Sequence, residues 1–270
     1  MTIVDIGSGP PLVLVPGVQG RWEWMRPAVD ALARRCRVIT FSLADEPTCG
    51  GEFDAEHGFA CYVRQVGAAL DAAGLERATI CGTSYGGLIA AAFAAEHPER
   101  TAALILASAL PPTWSPDARA RFYLRAPRLL SPLFCVASLR MYREIAAASD
   151  GTAAAIRLSL THLVTVLRHL FSPSRMARRI VLLAGIDLTD RVSGIDRPTL
   201  IVTGDPALDR VVPVRLTLEY LRLIPHARTA TLARTGHIGL VTRSEAFADL
   251  VVPFTVAASD GNARKERKVV

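Results

Sequence analysis

Gly82-Thr83-Ser84-Tyr85-Gly86 places a serine between two glycines. The stretch follows a short apolar run, Ala78-Thr79-Ile80-Cys81, that reads as a strand, and it precedes Gly87 to Ala95, which reads as a helix. A strand-to-helix turn this tight strains the serine backbone, and the flanking glycines, lacking Cβ, remove the clash. The result is a hydroxyl held clear of the sheet at the positive end of a helix. A hydroxyl is a weak nucleophile at neutral pH. It needs a base, and the base needs an acid to orient it.

Six histidines are available. His57, His97 and His226 fall in loops or at helix ends, where a solvated role suffices. His162 and His169 are seven apart, so they share one face of a helical segment. His237 differs, because Arg234-Thr235-Gly236-His237-Ile238-Gly239 lies between the last strand and the last helix. A loop at the carboxyl end of a strand is where reactive groups gather in parallel sheets. The acid should follow the preceding strand, Thr199 to Gly204. Two carboxylates compete there. Asp209 leads into Val211-Val212-Pro213, whereas Asp205 can serve as a turn cap before Pro206. Asp209 is preferred, with Asp205 as the alternative.

These residues need elements to hold them. Leu12-Val13-Leu14-Val15 reads as a strand stopped by Pro16-Gly17. A helix over 22–35, a strand over 37–42, a loop over 43–53 and a helix over 55–73 follow. After the serine come a helix ending at His97-Pro98 and a strand over 102–107. Residues 113–186 carry no strand pattern and about four helical stretches, broken near Ser131-Pro132, Asp150-Gly151 and Ser172-Pro173. Alternation then resumes: strand 199–202, helix 214–223, strand 228–232, and a helix from Gly239 to Val256 interrupted at Pro253. The pattern predicts an α/β fold, a mostly parallel sheet with helices on both faces. It predicts a core from 1–110 and 187–258, a helical lid over 111–186, and a disordered basic tail over 259–270.

The 270 residues are 50% hydrophobic and 21% charged, which excludes a disordered chain. The net charge of +6 is dispersed except at the tail, so no nucleic-acid-binding patch is expected. No signal peptide and no membrane-length apolar run is present, so no integral membrane association is expected. Five scattered cysteines without metal-ligand spacing read as reduced thiols of a cytoplasmic protein. No metal motif, Walker loop or dinucleotide fingerprint appears, and no cofactor is implied.

The order Ser84, Asp209, His237 resembles the α/β-hydrolase superfamily, in its esterase-like branch with a helical cap. Gly204 with Asp209-Arg210-Val211-Val212-Pro213 resembles the family's acid motif, Thr235-Gly236-His237 its histidine motif, and Leu12 to Gly17 its oxyanion-loop strand. The resemblance covers about residues 10–110 and 196–258. It implies an oxyanion hole from the backbone N–H groups of Val18 and Tyr85. This chain departs from the family in three places. Pro16-Gly17 replaces His-Gly, Ser42-Leu43-Ala44-Asp45-Glu46-Pro47 replaces the Asp-x-x-Gly-His-Gly loop, and Asp209 lies five residues after Gly204 rather than three.

The implied activity is that of a serine hydrolase cleaving an ester, thioester or lactone of a small apolar molecule. C–C bond hydrolysis or acyl transfer with the same three residues is the alternative chemistry. A non-catalytic small-ligand receptor is the alternative class. A lid this apolar should roof the cleft, with Phe122, Leu133, Met141 and Leu163 as candidate substrate contacts.

Overall fold

The computed structural model describes residues 1–51, 53–132 and 141–266, with the backbone alone for 261–266. Leu133 and Cys135 fall outside the described residues. Seven strands form one sheet: β1 (Val4–Ile6), β2 (Pro11–Val15), β3 (Arg37–Thr40), β4 (Ala78–Thr83), β5 (Thr101–Ala107), β6 (Thr199–Thr203) and β7 (Arg228–Thr231). Their spatial order is β1-β3-β2-β4-β5-β6-β7. Only the edge strand β1 is antiparallel to its neighbour; the other pairs are parallel.

Strands β4, β5 and β6 are buried along their whole length. Their near-continuous apolar sequences follow from helices covering both sheet faces. On one face Val13, Ile80, Leu104 and Ile201 meet α2 (Phe59–Ala72) and α3 (Tyr85–Glu96). On the other Leu12, Leu14, Ile105 and Val202 meet α1 (Arg26–Ala33) and the C-terminal helix. Each fully buried Leu, Ile or Phe contributes about 1.5–3 kcal/mol. Helix α3 is buried on all sides and built largely from Gly and Ala, so it can lie close against β4 and β5.

Between β5 and β6 the chain inserts α4 (Ala118–Arg125), α5 (Tyr142–Ala148), α6 (Thr152–Arg168) and α7 (Pro173–Val181). Their starts are legible locally. The Asp117 carboxylate accepts the Ala120 N–H at 2.7 Å, and Ser172 caps α7 ahead of Pro173. The short helices α8 (Thr189–Ser193), α9 (Val214–Thr217), α10 (Tyr220–Leu223) and α11 (Gly239–Thr242) precede the long α12 (Ser244–Glu266).

Several boundaries differ from the sequence reading. The helix expected over 22–35 begins as a 3-10 turn, Trp22–Met25, before α1. Helix α2 starts at Phe59 rather than residue 55, because the Asp54 carboxylate accepts the N–H groups of Glu56 and His57 and holds a turn. The expected helix 214–223 is two short pieces, α9 and α10. Pro253 sits inside α12 instead of ending it; its lost N–H frees only the carbonyl of exposed Asp249. That helix runs on to Glu266, past residue 259, where the sequence pointed to a disordered tail; residues 267–270 lie outside the description.

Candidate active site

Ser84 directly follows β4 and stands at the N-cap of α3 with φ 53° and ψ −120°, a left-handed backbone that a non-glycine residue adopts at a cost. The turn is locked by its neighbours. The Ser84 N–H donates to the Ala107 carbonyl at 3.0 Å, and the Ser84 carbonyl accepts from Gly87 and Leu110 at 2.9 and 3.1 Å. A Cβ on Gly82 would overlap the Gly86 carbonyl, and one on Gly86 would overlap the Pro16 carbonyl. Both glycines are therefore required by close backbone approach.

His237 lies in the loop after β7, and its Nε2 stands 3.1 Å from Ser84 Oγ. Its Nδ1 stands 3.4 Å from Asp209 Oδ2. The other carboxylate oxygen of Asp209 accepts the N–H groups of Val211 and Val212 at 3.0 and 2.9 Å, which aims Oδ2 at the imidazole. All three side chains are buried. His237, Thr83, Ser108, Thr203 and Leu240 are among the residues lining a cavity of about 10 Å³, room for about one water.

Asp205 points elsewhere. Its carboxylate accepts the Ala207 N–H at 2.8 Å and caps the turn. The Leu208 and Asp209 N–H groups both donate to the Asp205 carbonyl. The residues in excess between Gly204 and Asp209 are thus wound into one helical turn, which returns Asp209 to the sheet end.

Tyr85 is the first residue of α3, so its N–H has no acceptor within the helix. Gly17, just before Val18, faces the serine closely: a Cβ built on it would lie 3.5 Å from Ser84 Cβ. The backbone around Val18 and Tyr85 therefore flanks Ser84 from two sides.

A model of the alpha/beta hydrolase fold family matches residues 10–244. The chain belongs to that family. A 2-hydroxy-6-oxo-2,4-heptadienoate hydrolase of Pseudomonas putida is 26% identical over 261 residues, covering 94% of this chain and 91% of its own. A poly(3-hydroxyalkanoate) depolymerase of Ectopseudomonas oleovorans is 28% identical over 257 residues, covering 90% and 83%. Among solved structures, the enol-lactonase from Burkholderia xenovorans LB400 superposes with a TM-score of 0.74 at 21% identity, covering 94% of this chain and 95% of its own, a likeness of fold. This α/β hydrolase is an enzyme, a hydrolase. Among the described residues no helix is long and apolar enough to cross a membrane.

Two residues of this α/β hydrolase escaped the sequence reading. Glu144 on α5 is 2% exposed, and its Oε1 accepts the Ile238 N–H at 2.8 Å, one residue past His237. Burial pushes its carboxyl up to about 7, against the pull of the Gly236 and Ile238 N–H groups and of His237. Arg234 ties the other end of the same loop to α5: its guanidinium donates to the carbonyls of Ala147 and Ser149, both at 2.8 Å. Arg179 on α7 is 0% exposed. It donates to the Val18 carbonyl at 2.7 Å, to Asp45 Oδ1 at 3.0 and 2.5 Å, and to Glu46 Oε1 at 2.5 Å. Gly20 leaves the room: a Cβ there would overlap the guanidinium. The unusual Asp45-Glu46 segment thus holds an arginine against the loop beside the serine. Sequence alone gives one hint, acids where the family carries Gly-His-Gly; it gives none of the arginine's position 134 residues away.

The other expected contacts divide. Met141 is half-buried just before α5, three residues from Glu144. Phe122 and Leu163 are 46% and 50% exposed, on faces of α4 and α6 that turn to solvent. Helix α6 instead sets His162 against Trp24, with rings 5.7 Å apart, and burial pulls His162 down from its ordinary value. His169 Nδ1 lies 3.6 Å from Glu23.

Proposed function

We propose that the chain is a serine hydrolase that cleaves an ester, thioester or lactone of a small apolar molecule through an acyl-enzyme on Ser84. The observation that carries this reading is the continuous line from Ser84 Oγ to His237 Nε2 and from His237 Nδ1 to Asp209, with Ser84 in a strained turn. Ser84 Oγ attacks the carbonyl carbon while His237 Nε2 takes its proton. Asp209 holds the proton on Nδ1 and stabilises the imidazolium. The negative oxygen of the tetrahedral intermediate is met by the Val18 and Tyr85 N–H groups, worth several kcal/mol in a dry site. His237 gives its proton to the departing oxygen or sulfur, then draws one from the water that releases the acid. No cofactor enters the cycle.

Residues 111–186 act as the lid in this reading. They excise the cleft from solvent and set substrate shape, with Met141 the contact best supported by its place beside Glu144. Cleavage of a C–C bond by the same residues is favoured by one observation, the Pseudomonas putida relative named for a 2-hydroxy-6-oxo-2,4-heptadienoate. Labelling with a fluorophosphonate, then turnover of p-nitrophenyl esters against a vinylogous 1,5-diketone, separates the two. Faster ester turnover supports the ester reading, and diketone cleavage without ester turnover replaces it.

A further inference from the structure

Helix α6 has its apolar side on the outside. Ile156, Leu160, Leu163, Val164 and Leu167 are 43–63% exposed. At 3.6 residues per turn these five fall within an arc of about 100° and extend along a helix about 25 Å long. The side turned to the protein mixes small, polar and apolar groups: Ala155 is buried, Leu158 and Val166 are half-buried, His162 stacks edge-on to Trp24, and the His169 carbonyl accepts the Trp24 indole N–H at 2.9 Å. A surface helix ordinarily shows the reverse polarity. Leu170, just past the helix, is 63% exposed and lengthens the stripe.

Charge identifies what fits this face. Residues 113–186 contain eleven arginines, no lysine and three carboxylates, a surplus of eight positive charges. The whole chain has a surplus of six, so everything outside this block is net negative by two. The three carboxylates are already engaged: Glu144 is buried on Ile238, Asp150 pairs with Arg234, and Asp117 caps α4. Arg157 and Arg168 border the apolar stripe, both exposed and without an ion pair among the described residues. Arg179 and Arg175 are taken up by Asp45 and Glu46, so the charge beside the stripe is that of Arg157 and Arg168, and a second copy meeting this face would set these cations against their own like.

We propose that the outer face of α6 is a docking surface for an anionic lipid bilayer, the helix lying in the interface with its leucine stripe among the acyl chains and its arginines at the lipid phosphates. This orientation sets the inserted helices against the membrane and leaves the sheet in water. The proposal is independent of the chemistry assigned to Ser84.

The test is flotation of the full chain with vesicles of phosphatidylcholine, with and without roughly one-third phosphatidylglycerol. The wild type should float with the anionic vesicles only, and about 0.5 M salt should release it. Leu160→Ser with Leu167→Ser, and Arg157→Glu with Arg168→Glu, should each lower binding by about tenfold or more. Both pairs are exposed, so far-UV circular dichroism and melting should match wild type. Equal flotation with neutral vesicles, binding unmoved by both variants, or no flotation would overturn the proposal. So would a concentration-dependent dimer, seen by light scattering, that the leucine variant dissolves, since the face would then be a contact between copies.

Discussion

Glu144 Oε1 accepts the backbone N–H of Ile238 at 2.8 Å, so a helix of the inserted block holds the residue next to His237. The carboxyl is buried and pushed up to about 7, whereas in the unfolded chain it titrates near 4.3. A group whose pKa is raised on folding binds its proton more tightly in the native state. Its contribution is complete below the unfolded value and is lost as pH rises through the folded value. Wild type should therefore lose stability relative to Glu144→Gln between about pH 4.3 and 7, by roughly 4 kcal/mol at most. Urea melts of both proteins at pH 5 and pH 8 measure this. Parallel stabilities at the two pH values would show that Glu144 is ionised in the native protein.

The two aspartates beyond β6 should behave very differently. Asp209→Asn should leave the fold intact and slow turnover by about 10⁴, because an amide favours the wrong imidazole tautomer. Asp205→Asn keeps an oxygen that accepts the Ala207 N–H and should change stability by well under about 1 kcal/mol, with little change in rate. Steady-state kinetics of the two variants decide the matter. The opposite ranking would transfer the orienting role to Asp205.

Arg179 is enclosed with two carboxylates, and Asp45 Oδ2 and Glu46 Oε2 have no hydrogen-bond partner among the described residues. Arg179→Met should cost about 3–5 kcal/mol, chiefly because Asp45 is left buried without its cation while Glu46 keeps only Arg175 at 3.2 Å. Adding Asp45→Asn and Glu46→Gln should restore much of that loss. Thermal melts of the single and triple variants provide the reading. A triple variant no more stable than Arg179→Met would mean that the loss comes from packing instead.

Much of the core was legible because it rests on local rules. The glycines around Ser84, the apolar runs of β2, β4, β5 and β6, and the loop order of Asp209 and His237 each follow from short-range chemistry. The edge strand β1 was not, since Val4–Ile6 is short and half-exposed and carries little apolar pattern. The outward turn of Phe122 and Leu163 was not legible either, for a physical reason. Periodicity shows that a helix has an apolar side but does not say which side meets the protein, and α6 turns its apolar side out. Glu144 and Arg179 act across 94 and 134 residues of chain, so no local pattern could reveal them.

An apolar site under the inserted helices should favour longer acyl groups. Across p-nitrophenyl esters of two to eight carbons, kcat/KM should rise as each added CH₂ is buried at about 0.8 kcal/mol, and level off when the site is full. A fall from the shortest ester onward would indicate a small or polar substrate.

In the proposed mechanism Ser84 is the nucleophile. Reaction of the intact protein with a fluorophosphonate, followed by mass spectrometry of its peptides, tests it most directly. One label per chain is expected, on the peptide bearing Ser84, with labelling abolished in Ser84→Ala and turnover reduced by about 10⁶. A label elsewhere, or a folded Ser84→Ala variant that keeps more than about a hundredth of wild-type turnover, would contradict it.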